Sequence, residues 1–176
     1  KHIVGPEAPF YRLLQVDKLP HSFFFGPAGT GKTTLARLCA KELGTTFFEF
    51  NATSLKIEEL RKVLLAHKNA LLKPLVFIDE VHRLSKNQQE VMLPFMENSD
   101  AIFIGASTEN PFFSLTSAIR SRSMLFEFHS HTIEDLNTLL TQVHNKEDFE
   151  LSVDAKEYLL HSSGGDARAM LNLLEC

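Results

Sequence analysis

Cysteine, tryptophan and long hydrophobic runs are scarce or absent in this chain of 176 residues. Its two cysteines, Cys39 and Cys176, lie far apart, and it has no tryptophan. Two isolated cysteines exclude a disulfide-stapled scaffold and a cysteine-rich zinc site, and we expect a reducing, cytoplasmic setting. No run approaches the ~18 apolar residues of a membrane span, and the first ten residues lack the pattern of a signal peptide. A membrane protein is therefore not expected.

Positive charge is not in excess either. The net charge of −4 argues against a broad basic face that coats nucleic acid, although a local basic channel formed in an oligomer stays open. Hydrophobic residues make up 44% of the chain and charged residues 23%, as in an ordinary globular protein. The length suffices for one domain with a small second one.

Short apolar segments alternate with helical periodicity over the first three quarters of the chain. Alternation of this kind predicts a mainly parallel α/β sheet with crossover helices. The predicted strands are Ser22–Phe25, Thr46–Phe50, Leu75–Ile78, Ala101–Ala106 and Met124–Phe128. The predicted helices are Lys32–Leu43, Lys56–Leu72 with Ser54 as its cap, and Asn87–Glu97 with a kink or early end at Pro94.

The strand pattern stops after Phe128. Thr132 and Asp135 have the spacing of a capping box, and further helices are predicted over Val153–His161 and from Asp166 onward. We therefore predict an α/β domain over residues 1–129 and a small helical lid domain over residues 130–176. The last helix stops in mid-pattern and the chain does not start with Met, so we expect a longer natural protein.

A phosphate-binding loop is the strongest motif. Residues 26–33 read GPAGTGKT, a full match to G-x-x-x-x-G-K-[ST], after an apolar strand and before a helix. The backbone amides of such a loop surround phosphate oxygens, Lys32 reaches the β- and γ-phosphates of ATP, and Thr33 places its hydroxyl on Mg²⁺. The predicted nucleotide-binding residues of this segment are Gly26, Pro27, Ala28, Gly29, Thr30, Gly31, Lys32, Thr33 and Thr34.

Two adjacent carboxylates end the third predicted strand. The segment LVFIDE is a Walker B pattern, and ligands in parallel sheets lie at the carboxyl ends of the strands. Asp79 is predicted to orient Mg²⁺, and Glu80 to act as the general base that activates the attacking water. Glu80 favours a hydrolase over a protein that binds nucleotide without activating water.

The segment that follows is similar to one known family. DEVHR, SKNQQ, LPFME and IGASTENPFFSLTSAIRSR resemble the replication-associated recombination protein A family, whose eukaryotic relative is the Werner-helicase-interacting protein. The opening KHIVG resembles the family's adenine-side segment, and GGDARAMLNLLE resembles its sensor 2 helix. The similarity covers nearly the whole chain and implies an AAA+ ATPase fold, in which a P-loop parallel α/β sheet of strand order 5-1-4-3-2 is followed by a small helical lid.

This resemblance implies the remaining site residues. Arg122 matches the arginine finger, with Arg120 as a weaker competitor, and Arg168 matches sensor 2. Asn110 and Thr108 are both candidates for sensor 1, with Asn110 slightly favoured. Asn51 matches the residue that restrains the catalytic glutamate, or else is an ordinary turn residue. His2, Ile3 and Val4 are expected to contact adenine, and His82 to have a structural or partner-binding role.

The expected function is Mg²⁺-dependent ATP hydrolysis by a homo-oligomer, coupled to DNA replication, recombination and repair at stalled forks. The resemblance implies gapped or forked DNA and a single-strand-binding protein as partners, and a nucleoid-associated location. The alternatives are a clamp-loader or Holliday-junction-motor subunit, or an ATP-switched binding module with negligible turnover. Tetramer and hexamer stay open.

Overall fold

The computed structural model describes residues 9–15, 19–147, 149 and 151–175. In chain order its elements are α1 (Pro9–Gln15), β1 (His21–Phe25), α2 (Lys32–Glu42), β2 (Phe47–Asn51), α3 (Ile57–Ala66), β3 (Leu75–Asp79), a 3₁₀ turn (Val81–Arg83), α4 (Lys86–Glu97), β4 (Ile102–Ser107), α5 (Ser117–Arg120), β5 (Ser123–Glu127), α6 (Ile133–His144), α7 (Val153–Ser162) and α8 (Ala167–Leu174).

The five strands form one parallel sheet in the order β2-β3-β4-β1-β5. This is the predicted order read from the other edge, so the predicted fold class is confirmed. A parallel sheet of this kind has its strands covered on both faces, and the inner strand β3 has its first four residues buried. All five strands end at the same edge of the sheet, which brings the segments after them together.

The chain divides into two compact units. One comprises residues 1–25 and 32–127, and the other comprises residues 26–31 and 128–176. The first has a core of apolar side chains from the strands and from α3, α4 and α5, with Phe23, Val76 and Phe103 fully buried. The second has a smaller core built on Leu136, Leu140, Leu160 and Met170 from α6, α7 and α8. The assignment of domains to residues 1–129 and 130–176 stays a prediction.

The predicted helix over Lys56–Leu72 is too long. α3 ends at Ala66, because the chain must turn back to start β3 at Leu75, whose backbone N–H donates to Thr46 O at 2.9 Å. Ser54 does not cap it: its hydroxyl donates to Asn51 O at 3.4 Å, and the N-cap residue is Lys56. Two acidic residues of the first turn, Glu58 and Glu59, complement the helix dipole there instead.

Pro94 does not end α4, which continues to Glu97. The helix is fastened at its start by a capping box in which Ser85 and Gln88 bond each other's backbone. Gln89, buried in the first half of the helix, donates to Leu84 O and Ser114 O and accepts from Thr116 N. These bonds hold α4 against the segment that follows β4.

The longest helices in the described part of the chain have twelve residues. At 1.5 Å per residue they measure about 18 Å, and none is long and apolar enough to cross a membrane.

Candidate functional site

The phosphate loop lies between β1 and α2 and has backbone angles that favour glycine. Gly26, Gly29 and Gly31 have φ values of 135°, 64° and 90°. A Cβ on Gly26 would lie 2.0 Å from Phe128 O, and a Cβ on Gly29 would lie 1.6 Å from an Asp166 carboxylate oxygen. The glycines are therefore required by the fold of this loop as well as by the approach of a phosphate.

The N-terminus of α8 packs against this loop. The carboxylate of Asp166 caps the helix by accepting from Arg168 N at 2.8 Å and Ala169 N at 2.9 Å. Ala167 N donates to Gly29 O at 3.3 Å. Arg168, the predicted sensor 2 residue, is thus in the first turn of a helix that contacts the phosphate loop, and its side chain is exposed. The sequence did not single out Asp166 as the residue that makes this contact.

Lys32 and Thr33 are the first two residues of α2. Lys32 is only 9% exposed, an unusual burial for a lysine that indicates a specific position for its ammonium group. Thr34 is exposed, as are Pro27 and Ala28 in the loop. Thr30 is buried and donates its hydroxyl hydrogen to Pro27 O at 2.9 Å, which stabilises the turn of the loop.

The predicted acidic pair lies at the carboxyl end of β3. Asp79 is the last residue of the strand, and one of its carboxylate oxygens accepts from Glu80 N at 2.9 Å. Glu80 has the left-handed backbone angles φ 56° and ψ 36°, which are uncommon for a residue with a side chain and concentrate at functional sites. Its carboxylate pairs with Arg83 Nε at 3.0 Å.

Asn51 lies beside Asp79 in the sheet register, at the end of β2. Its side-chain oxygen accepts from Thr53 N at 2.9 Å and from the Thr53 hydroxyl at 2.5 Å. In this structure Asn51 is thus bonded as a turn residue, and Glu80 is bonded to Arg83. The role of Asn51 as a restraint on Glu80 stays a prediction.

The two sensor 1 candidates follow β4 at the same sheet edge. Thr108 and Asn110 are both exposed, and Asn110 Oδ1 accepts from Phe112 N at 3.0 Å. This geometry does not decide whether Thr108 or Asn110 is sensor 1.

Sequence reasoning missed a buried bond at this edge. Ser107, the last residue of β4 and 2% exposed, donates to Glu109 O at 2.5 Å and lies 2.8 Å from Nδ1 of His82. Because the serine hydroxyl hydrogen goes to Glu109 O, His82 Nδ1 is the donor in that pair. His82 thus connects the turn that follows Glu80 to the end of β4, and its role, structural or partner-binding, stays a prediction.

Arg122 and Arg120 have different surroundings. The Arg120 guanidinium lies 4.2 Å from the centre of the Phe112 ring and donates to Phe112 O at 3.0 Å, so it packs on its own loop. Arg122 Nη2 donates to a Glu97 carboxylate oxygen at 2.6 Å, and its side chain is 38% exposed. Arg122 is exposed and Arg120 is half-buried, so a group outside the chain reaches Arg122 more readily.

Arg122 lies at the amino-terminal ends of the strands, just before β5, whereas the acidic pair lies at their carboxyl ends. Strand pairing aligns four residues in one row across the sheet: Phe77 of β3, Ile104 of β4, Ser22 of β1 and Met124 of β5. Asp79 lies two residues beyond that row and Arg122 two residues before it, so they are four residues apart along the strands and three strands apart across them. With ~3.3 Å per residue and ~4.8 Å per strand, their Cα atoms are about 20 Å apart. An arginine side chain does not span that distance.

His2, Ile3 and Val4, the predicted adenine contacts, lie outside the described residues.

The donor set fits ATP with Mg²⁺. Mg²⁺ in phosphate-transfer sites is held by one or two oxygen side chains together with substrate phosphates and water, and not by a cage of protein ligands. Thr33 and Asp79 supply such oxygens, and in the described part of the chain no group of three histidine, cysteine or acidic residues forms a metal cage. Residues 26–31 directly precede the N-terminal residue of α2, and backbone amides at such a helix start bind phosphate.

The sequence model of the ATPase family associated with various cellular activities (AAA) matches residues 22–132. Replication-associated recombination protein A of Haemophilus influenzae is 36% identical over 184 residues, covering 99% of this chain and 41% of that protein. Its counterpart in Escherichia coli is 34% identical over 185 residues, with the same two coverages of 99% and 41%. The chain therefore spans about two fifths of the length of these relatives.

A solved structure has the same fold. The Holliday junction branch migration motor RuvB of Thermotoga maritima superposes with a TM-score of 0.75 at 28% identity, covering 92% of this chain and 55% of that one. The resemblance to replication-associated recombination protein A that the sequence predicts is confirmed, and the chain belongs to the AAA family of ATPases.

Proposed function

We propose that this chain is the ATP-hydrolysing part of an oligomeric ATPase whose active sites lie between neighbouring subunits. The observation that carries this proposal is the placement of Glu80 and Arg122 at opposite edges of one sheet, with about 20 Å between Asp79 and Arg122. In a single copy, Arg122 is too far from Glu80 to act at the same site. A second copy of the chain would bring its Arg122 to the carboxyl ends of the first copy's strands, where Glu80 lies.

In this proposal each residue has one task. The phosphate loop and Lys32 bind and orient the triphosphate of ATP, and Glu80 accepts the proton of the water that attacks the γ-phosphate. Thr33 and Asp79 would hold Mg²⁺, which would supply positive charge beside the phosphate oxygens. Arg122 of the neighbouring subunit stabilises the same charge, and Arg168 contacts the nucleotide from the lid. Either Thr108 or Asn110 orients the water.

We assign the energy of hydrolysis to DNA transactions in replication, recombination and repair. Support comes from the relatives, which are named for replication-associated recombination. Gapped or forked DNA, a single-strand-binding protein and a cytoplasmic, nucleoid-associated location belong to the same proposal.

The first test is the rate of ATP hydrolysis per subunit as a function of protein concentration, with and without gapped DNA. A shared site predicts a rate that rises with concentration, since only assembled copies are active, and a DNA-coupled function predicts a further rise with DNA. A flat, negligible rate in every condition would contradict hydrolysis and favour an ATP-switched binding module.

The likeness to RuvB supports one further candidate, a Holliday-junction motor. Four-way junctions and gapped duplexes of equal length distinguish the two. Stimulation by junctions alone would favour the motor, whereas stimulation by gaps or forks favours the replication-associated function.

Glu80→Gln isolates the chemical step. We expect ATP affinity within a few-fold of the parent protein and a loss of at least 10²-fold in kcat, because glutamine keeps the shape of the side chain but cannot accept the proton. Unchanged turnover in this variant would remove Glu80 from the mechanism.

A further inference from the structure

Arg122 is held by a partner that the reaction itself does not require. Three of its five N–H groups are used: one on Glu97 at 2.6 Å, one on Ala118 O at 2.9 Å and one on the Ser121 hydroxyl at 3.1 Å. None of these three bonds involves Nε. The guanidinium is thus oriented in advance while its Nε–H group stays available to a ligand.

The position of Glu97 in its helix is unfavourable for helix stability. It is the last residue of α4, and a negative charge at a helix C-terminus opposes the helix dipole. Among the described residues its carboxylate pairs only with Arg122, and its side chain is 51% exposed. An ion pair this exposed adds little to fold stability, so the pair is better explained by what it does to the arginine.

The helix that carries Glu97 is firmly anchored. α4 starts after the turn that follows Glu80, is capped by Ser85, and is bonded to Leu55 O through Gln88 at 2.8 Å. A carboxylate at the end of such a helix gives Arg122 a defined position relative to the strands.

We propose that Glu97 is a positioning residue for Arg122, which sets the orientation of the arginine that one subunit presents to the active site of its neighbour. This inference rests on the proposed function, in which Arg122 acts in trans. Because a misplacement of 1 Å can cost about 10²-fold in rate, we expect Glu97→Ala to lower kcat by roughly ten- to a hundredfold while KM stays the same. Arg122→Ala should cost about 10³-fold or more.

Subunit mixing tests the inference, because Glu97 must matter in the subunit that donates the arginine and not in the one that receives it. Donors carry Glu80→Gln, which removes their own hydrolysis and keeps Arg122. Recipients carry Arg122→Ala, which keeps their Glu80. The donor series is Glu80→Gln alone, with Glu97→Ala, and with Glu90→Ala as the matched control, since Glu90 is an exposed glutamate of the same helix.

We expect the plain donor and the Glu90→Ala donor to restore equal activity, and the Glu97→Ala donor to restore at least tenfold less. Recipients with both Arg122→Ala and Glu97→Ala should be rescued as well as those with Arg122→Ala alone. Glu97→Gln, which preserves size, replaces Glu97→Ala if the latter lowers the melting temperature.

Equal rescue by the Glu97→Ala donor, or a loss that follows the recipient, would overturn the positioning role and leave the shared site intact. If the plain donor rescues nothing, the shared site itself is refuted, and the role of Glu97 with it.

Discussion

Gly105 provides a stringent test of how the sheet supports the site. It lies in β4, paired with Phe23 of β1 and Ile78 of β3. A Cβ at this position would lie 2.3 Å from a ring carbon of Phe23 and 3.0 Å from a methyl of Val81, which follows Glu80 in the chain. Phe23 lies in β1, directly before the phosphate loop, and Val81 lies in the 3₁₀ turn directly after Glu80. Gly105 therefore packs between two segments that adjoin predicted functional residues.

Gly105→Ala should destabilise the fold by overpacking. Ordinary van der Waals contact begins near 3.4 Å, so the Phe23 ring would have to move by about 1 Å, yet Phe23 and Val81 are both 0% exposed. Overpacking of a tight core costs about 1–3 kcal/mol, and we expect about 2 kcal/mol, equivalent to a fall of roughly 4–8 °C in Tm. The free energy of unfolding in urea measures this loss.

Phe23→Leu provides the internal control, since it removes the ring atoms that the new methyl group would contact. The double variant should be at least ~1 kcal/mol more stable than the sum of the two single losses predicts. A change below ~0.5 kcal/mol in Gly105→Ala, or strictly additive losses, would refute the packing argument.

Three further outcomes are expected. Lys32→Ala should weaken ATP binding by at least ~10²-fold, since the charged contact to the phosphates is lost; calorimetric titration measures it, and an affinity within a few-fold of the parent would contradict the phosphate-loop assignment. Burial lowers the pKa of His21 below 6.5, with its hydrogen bond to Met96 O opposing the shift. The unfolded chain then binds the proton more readily, so the free energy of unfolding should fall as the pH drops below about 6.5, and His21→Asn should reduce that fall in urea titrations at pH 7.5 and 5.5. Burial raises the pKa of the Cys39 thiol to about 12, so iodoacetamide at pH 8 should alkylate Cys39 only after unfolding, as mass mapping of its peptide would report.

Local patterns were sufficient for much of the fold. β3 and the strand before the phosphate loop are short apolar runs typical of a covered sheet, and the loop and the acidic pair are contiguous motifs. The capping box at Thr132 correctly placed the start of α6. Periodicity was misleading in α3, because Leu71 and Leu72 continue the helical pattern although they lie exposed in the connection to β3.

The sequence by itself determined the motifs from which the phosphate loop and the acidic pair Asp79 and Glu80 are predicted, because each motif consists of residues adjacent in the chain. Only the tertiary structure decided the contacts between residues that are far apart in sequence. It placed Arg122 at the edge opposite Asp79, against Glu97, and brought His82 to Ser107. The physical reason is that crossover connections of a parallel sheet bring together strand ends that no local pattern relates, so strand order and register, and not spacing in the chain, set these distances.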